Sequence, residues 1–390
     1  MAGSLTIKVD NNIKLSPEVK DFLNPKYIFI PIKDGYKLKV KDNSYVYKND
    51  IVMYKNNNES VRTPISGVVL GVKDMLYSDG LKHPSLMIEN DFKESAKNKR
   101  SSQKYIEKYK FEEFNDLLRE VALGSIIERL SRDEENILVN GIEIDPNFGN
   151  KLYLMKNHVE EILDVIDLIM NLYDKKKTII AVKNEDTEVI SEFYNLIGMY
   201  PNIEIKPLNN VYPLGMDSVL ENKLKIKAIT FSIGEIRNLY SILKRRRPYL
   251  EKYITITGDA VSPREVVHVK KGTLLSEVFM NSFDFKEPRV DVYLNGYVNG
   301  KVIDTLNVVV DDLMDGVFIT KEKDKTIKNC INCGLCAKYC PMKINPKYVL
   351  DKQGDVEEDY VKKCLDCGLC NYVCPSNINL RKMIKGDNND

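Results

Sequence analysis

Two stretches near the end of this sequence hold all of its sulfur nucleophiles. "CINCGLCAKYCP" runs from Cys330 to Pro341, and "CLDCGLCNYVCP" runs from Cys364 to Pro375. Each reads C-x2-C-x2-C-x3-C-P, and together they use all eight cysteines of the chain. Three closely spaced thiolates can wrap one corner of a metal cluster, because the intervening turns bring successive sulfurs onto one concave side. The fourth, followed by proline, points away and serves the other cluster. The spacing therefore predicts two [4Fe–4S] clusters, one held by Cys330, Cys333, Cys336 and Cys374, the second by Cys364, Cys367, Cys370 and Cys340. Gly334 and Gly368 follow the second cysteine of each unit, where a missing side chain permits positive φ and close approach of backbone N–H groups to cluster sulfur. The chemistry implied is movement of single electrons.

Two structural zinc ions would also be satisfied by eight cysteines. Zinc ribbons, however, use separated C-x2-C pairs, whereas two C-x2-C-x2-C-x3-C-P units are the two-cluster ferredoxin signature. Clustering of every cysteine in such units fits a reducing compartment and leaves none for disulfides. Between the repeats lie helix punctuation marks: Asn345 before Pro346 reads as N-cap and N1, and Asp355 with Glu358 resembles a capping box. The module is thus expected to be a helical two-cluster domain. Residues 326–385 carry ten Lys and Arg against six Asp and Glu, a surplus that offsets the negative charge of loaded clusters.

The elements that must position these cysteines occupy the preceding residues. A chain of 390 residues exceeds one ordinary core. Its 43% hydrophobic and 29% charged content is that of a globular protein, and a net charge of +1 gives no global field for nucleic acid. The N-terminal "MAGSLTIKVDNN" lacks the pattern of a signal peptide, and no run approaches the length of a membrane span. The expected location is cytoplasmic, with peripheral docking on a membrane complex open to it.

Residues 27–90 read as short strands with turns ("YIFIPI", "KLKV", "YVYKNDIVMY", "RTPISGVVLGV"). Residues 110–250 alternate strand and helix: "NILVNG", then "KNHVEEILDVIDLIMNLYDKKK", "TIIAVK", "EDTEVISEFYNLIGMY", "NIEIKP", and "KIKAITFS" leading into "GEIRNLYSILKRRR". That alternation predicts an α/β domain with a mainly parallel sheet. Residues 253–310 return to β structure with one helix. The three histidines, His83, His158 and His268, are mutually distant and support no hydrolytic triad or zinc protease motif. The basic run Lys244–Pro248 reads as a helix C-terminus favoured by the dipole.

In their order these segments resemble the RnfC-like electron-transport family. "TPISGVV" after "YVYKND" is similar to its barrel-sandwich opening. "NILVNGIEIDP" resembles its "NGAECEP" segment in a flavin- and NADH-binding domain shared with the flavoprotein subunit of respiratory complex I. "NNVYPLGMDSVL" resembles its "YPxGxE" segment, and "YITITGDAV" with "VKKGTLLSEV" resembles its soluble-ligand-binding β-grasp unit. The resemblance implies a multidomain α/β protein: residues 1–95 a β barrel-sandwich hybrid, 96–250 a Rossmann-like domain, 251–320 a β-grasp unit, and 321–390 a two-cluster ferredoxin-like domain. It also implies a pocket in which Asn140, Gly141 and Glu143 would line a flavin or nucleotide, although Asn140–Gly141 reads more simply as a strand-end turn.

The family's α/β domain opens with a glycine-rich GxGGAxFPT loop. Here the span "REVALGSIIERLSRDEENILVNG" keeps only Gly124, and Ile126, Ile127 and Leu130 cannot replace glycines that admit a phosphate against the backbone. A GGPMMG-like stretch is reduced to Gly296 and Gly300 in "YLNGYVNG". The departure implies that FMN and NAD(H) are not held, and that electrons arrive from and leave to redox partner proteins. The family branch associated with clostridial proline reductase shares this general layout. An NADH-oxidising flavin and iron–sulfur enzyme with a remodelled loop is the alternative; a non-catalytic scaffold built on the β-grasp unit is a third.

Overall fold

The computed structural model describes residues 15–56, 59–97, 104–352 and 358–385. The short N-terminal strands fold as two antiparallel sheets. One has the spatial order Tyr27–Pro31, Lys82–Asn90, Gly67–Leu76, Tyr45–Val46; the other has Lys37–Leu38, Ile51–Lys55, Glu59–Arg62. Side-chain alternation turns Ile28, Ile30, Val52, Val69, Leu86 and Ile88 into one shared apolar core.

The alternating segment forms a four-stranded parallel sheet of spatial order Ile203–Leu208, Lys177–Lys183, Asn136–Asn140, Ile229–Ser232. In chain order these are the third, second, first and fourth strands, so winding reverses direction between Asn136–Asn140 and Ile229–Ser232. In an open parallel sheet that reversal leaves a crevice at the carboxyl ends of the two strands. Asn140 and Ser232 are register neighbours there. The helix Val159–Leu172 carries Glu160 and Glu161 in its first turn, where they favour the dipole, and buries Ile162, Leu163, Val165, Ile166 and Ile169 against the sheet. Each such side chain contributes about 1.5–3 kcal/mol relative to exposure.

A six-stranded mixed sheet follows, ordered Val19–Phe22, Glu265–Lys270, Glu251–Gly258, Gly316–Lys321, Val290–Leu294, Lys301–Ile303, with the helix Leu275–Ser282 packed on it. Val19–Phe22 pairs in parallel with Glu265–Lys270. The described chain therefore starts in this sheet before it enters the N-terminal β unit.

The cysteine-bearing segment is built of short helices: Leu335–Lys338, Pro346–Asp351, Glu358–Lys363, Leu369–Tyr372 and Leu380–Lys385. As the sequence predicts, the Asn345 side chain accepts from Lys347 N at 3.2 Å, with Pro346 at the first helical position. Asp355 of the expected capping box lies outside the described residues; the helix that the box precedes begins at Glu358.

Candidate functional site

The two repeats adopt the same local fold. Gly334 caps Leu335–Lys338 at φ 70°, and Gly368 caps Leu369–Tyr372 at φ 76°. The residues two before them, Asn332 and Asp366, are also left-handed, at φ 58° and 57°. Consecutive left-handed turns aim backbone N–H groups inward, which suits an anionic cluster. Two concavities result. One is lined by Cys330, Cys333, Cys336 and Cys374, with Leu335, Leu350 and Ile378. The other is lined by Cys340, Cys364, Cys367 and Cys370, with Ile344, Leu369 and Ile384.

The cradles differ in their surroundings. The second, here called inner, is wedged against the rest of the protein. A Cβ on Gly368 would stand 2.0 Å from the Val298 carbonyl oxygen, so only glycine permits this approach. Tyr212 donates its hydroxyl to the Cys367 carbonyl, and Tyr212, Val298, Cys367 and Leu369 share one apolar cluster. Arg381 grips the Asp366 carboxylate through two nitrogens, one at 2.8 Å, and reaches the Asn299 carbonyl. Lys385 donates to the Cys364 carbonyl at 3.1 Å. Burial pushes the Cys367 thiol up to about 11 and Cys370 up to about 12. Both are therefore neutral thiols until a bound metal's charge displaces their protons. The first cradle, here called outer, has no such cover. Cys333 is exposed, and nothing lies within 4 Å of a Cβ built on Gly334.

Among the described residues no three His, Cys, Asp or Glu side chains converge on one metal ion. Each cradle instead offers four cysteines around an apolar hollow, a donor set of soft thiolates that fits a four-iron cluster with one ligand per iron.

At the switch-point crevice the remaining predicted residues come together, and their contacts are internal. Asn140 donates to the Gly215 carbonyl at 2.9 Å and to Asp217 at 2.7 Å, while its oxygen accepts from Ile142 N at 3.0 Å. A Cβ on Gly141 would meet the Ala181 carbonyl and Met155 sulfur at 2.7 Å. One Glu143 oxygen accepts from Lys151 N and Leu152 N at 2.7 and 3.1 Å, capping the helix Asn150–Asn157. The other oxygen is buried without a hydrogen-bond partner. Burial raises the Glu143 carboxyl above its usual range, against the pull of Lys183 and Lys151. Asn140, Ile142, Glu143 and Asp145 are all no more than 4% exposed. The nearby N-terminus of the helix Ile233–Arg245 is closed by a capping box of Ser232 and Glu235, and Glu235 is held by Arg129 at 2.6 Å. In place of a glycine-rich loop, Gly124–Leu130 is helical, with Ile126 and Leu130 in the main core.

Tyr212, Arg381 and Val298 carry no local signal in the sequence, because their role depends on contacts between distant stretches of chain. Tyr212 reaches across 155 residues to Cys367, and Arg381 across 82 to Asn299. Only the "YPLG" resemblance touches Tyr212.

These two features, a parallel α/β crevice and a doubled cysteine cradle, define an iron–sulfur protein built on a flavoprotein-like frame. Residues 126–232 match the Nuo51 FMN-binding domain family, and residues 329–378 and 299–345 match 4Fe-4S dicluster domain families. The chain is 27% identical over 356 residues to the C component of the ion-translocating oxidoreductase complex of Buchnera aphidicola, covering 83% of this chain and 74% of that one. It is 21% identical to the C component of the proton-translocating ferredoxin:NAD(+) oxidoreductase complex of Clostridium ljungdahlii, over 83% of this chain and 77% of that one. With the Na(+)-translocating counterpart of Acetobacterium woodii it shares 24% over 54% of its length and 51% of the relative's. Over most of its length the chain is thus similar to RnfC-like proteins, the C components of ion-translocating oxidoreductase complexes. A chain of an NAD+-reducing [NiFe]-hydrogenase shares the fold at a TM-score of 0.51 and 11% identity, over 70% of this chain and 63% of that one. Among the described residues no helix is long and apolar enough to cross a membrane.

Proposed function

We propose that this chain relays single electrons between redox partner proteins, as a cytoplasmic or peripherally docked component of an oxidoreductase system. The observation that carries the reading is the partition of the eight cysteines into two four-cysteine hollows, one exposed and one packed against the α/β unit. We assign Cys330, Cys333, Cys336 and Cys374 to one [4Fe–4S] cluster, and Cys364, Cys367, Cys370 and Cys340 to the other. When bound, such clusters supply one-electron storage at accessible potentials. The protein's own residues then do three things: the cysteines hold the metal, Leu369, Ile344 and Ile384 keep water from the inner hollow, and Tyr212 and Arg381 fix the loop that carries Cys364 and Cys367.

Direct oxidation of NADH at a flavin is not part of this reading. The span that stands for the glycine-rich loop is the helix Gly124–Leu130, the helix start beside Asn140 is capped by Glu235, and Asn140 is spent on the Gly215–Asp217 segment. A second reading, an NADH-oxidising flavoenzyme with a rebuilt pocket, draws support from the orphaned Glu143 oxygen and from the match to FMN-binding domains. We further propose the four-unit layout: β barrel-sandwich, Rossmann-like, β-grasp and two-cluster domains.

The test is anaerobic. Clusters are reconstituted, free flavin is removed, and NADH is added with and without FMN while absorbance and EPR are recorded; dithionite serves as the positive control. Bleaching by dithionite alone is the expected result. Cluster reduction by NADH with FMN bound would overturn the first reading in favour of the second.

A further inference from the structure

The internal repeat supplies its own comparison between a covered cluster loop and an open one. Cys333, Gly334 and Ile331 correspond by repeat to Cys367, Gly368 and Leu365. In the inner copy Cys367 is buried, Gly368 touches a backbone carbonyl, and Leu365 packs against the apolar cluster of Leu138 and Leu214. In the outer copy Cys333 and Gly334 face solvent, and Ile331 is 66% exposed. Ile327, just ahead of the motif, is 67% exposed. The same loop chemistry is thus completed by the chain's own turn at one end and left uncompleted at the other.

Charge identifies what completes it. Residues 325–350 contain five lysines and no acidic residue. Lys328 and Lys338 are exposed near the two isoleucines in sequence, whereas Lys325 is paired with Asp291 at 2.7 Å and Lys347 with Asp351. A loaded four-thiolate cluster brings about two negative charges, so the face remains positive. A small apolar centre flanked by exposed lysines is the form of a transient electron-transfer interface, where charge steers encounter and the contact stays small. We propose that the outer loop, centred on Ile327 and Ile331 and flanked by Lys328 and Lys338, docks an acidic one-electron carrier protein. The proposal rests on the relay reading above. Exchange at this face is one electron, the carrier oxidised by one as this protein is reduced by one, or the reverse, with no bond made or broken.

The experiment uses the full, cluster-loaded chain and a small acidic [2Fe–2S] ferredoxin as probe. Zero-length carbodiimide cross-linking, mapped by mass spectrometry, is expected to join ferredoxin carboxylates to Lys328 or Lys338. Stopped-flow mixing with reduced ferredoxin is expected to show a second-order rate that falls with salt. The double variant Lys328→Glu and Lys338→Glu should slow it about tenfold at low ionic strength, with Lys227→Glu, an exposed lysine of the α/β unit, as the unchanged control. EPR checks that each variant keeps both clusters; should the double variant lose one, Ile327→Glu, outside the motif, carries the same expectation. Cross-links elsewhere, or wild-type rates in these variants, would overturn the docking face. If the wild type exchanges electrons with basic cytochrome c but not with ferredoxin, the acidic-carrier proposal falls while the relay stands. If it exchanges with neither although dithionite reduces its clusters, the relay reading itself falls.

Discussion

The two motif glycines form a matched pair for a test of how the inner cradle is held. Gly334→Ala and Gly368→Ala both place a Cβ at a left-handed residue, φ 70° and 76°. That conformation costs alanine about 1–2 kcal/mol in either place. Beyond this the sites part. At Gly334 the new methyl meets nothing within 4 Å; at Gly368 it would lie 2.0 Å from the Val298 oxygen and 2.9 Å from its carbon. The loop must back away by more than an ångström from a backbone carbonyl that cannot rotate aside. Retreat breaks the Tyr212 bond to Cys367, about 1 kcal/mol net, and uncovers Leu369, now 1% exposed, at about 2 kcal/mol. Gly368→Ala should therefore cost roughly 3 kcal/mol more than Gly334→Ala, by summing these two losses. Anaerobic thermal unfolding reads the difference in stability, and iron content with EPR reads which cluster survives. Gly334→Ala is expected to keep both clusters and Gly368→Ala to lose iron from one. Equal damage in the two variants would refute the view that the inner loop is clamped by the Val298 turn.

Other consequences are simpler. Cys336→Ser should remove the outer cluster and halt transfer while residues 1–320 stay folded; unchanged iron and unchanged transfer would contradict the ligand assignment. Tyr212→Phe leaves the buried Cys367 carbonyl one donor short, which costs about 1–2 kcal/mol, and should alter the EPR signal of the inner cluster and not the outer. Glu143→Gln tests the buried carboxylate. Because its folded pKa is raised, the ionised form costs stability: the cost is absent below the unfolded value near 4.3 and grows by about 1.4 kcal/mol per pH unit until the folded value is reached. The variant, which keeps an oxygen acceptor for Lys151 N and Leu152 N, should gain in melting temperature over wild type as pH rises from 5 to 8; a pH-independent difference would show that Lys183 and Lys151 already compensate the charge.

The parts legible in the sequence are those fixed by local rules. Ligand spacing in the two repeats is read within twelve residues, and the parallel sheet follows from strand runs alternating with the helices Val159–Leu172, Thr187–Leu196 and Ile233–Arg245. The Asn345–Pro346 helix start is equally local. What escapes depends on distant pairing. Val19–Phe22, the tetrapeptide VKDF, has too little alternation to announce a strand and becomes one only beside Glu265–Lys270. Asn140 looks the same in sequence whether its amide waits for a nucleotide or binds Gly215, 75 residues on. The inequality of the two cysteine repeats is invisible because their sequences are so alike; it lies in which loop the Val298 turn happens to cover.

The crevice and the inner cradle are mechanically one object. Asp145 belongs to the segment that resembles a nucleotide-binding motif, yet its carboxylate accepts from Asn147 N at 2.8 Å and from Tyr297 N at 2.6 Å. A carboxylate 1% exposed needs such donors, and one of them comes from the turn that precedes Val298. The Tyr297 ring in turn stands edge-on to Tyr372, the last residue of the helix that carries Cys370. The acidic segment at the carboxyl edge of the parallel sheet therefore sets the turn, and the turn sets the cluster loop. Asp145 of "IEIDP" thus has a structural task at this edge that needs no nucleotide. The presence of "IEIDP" is accordingly, by itself, weak evidence for a flavin pocket.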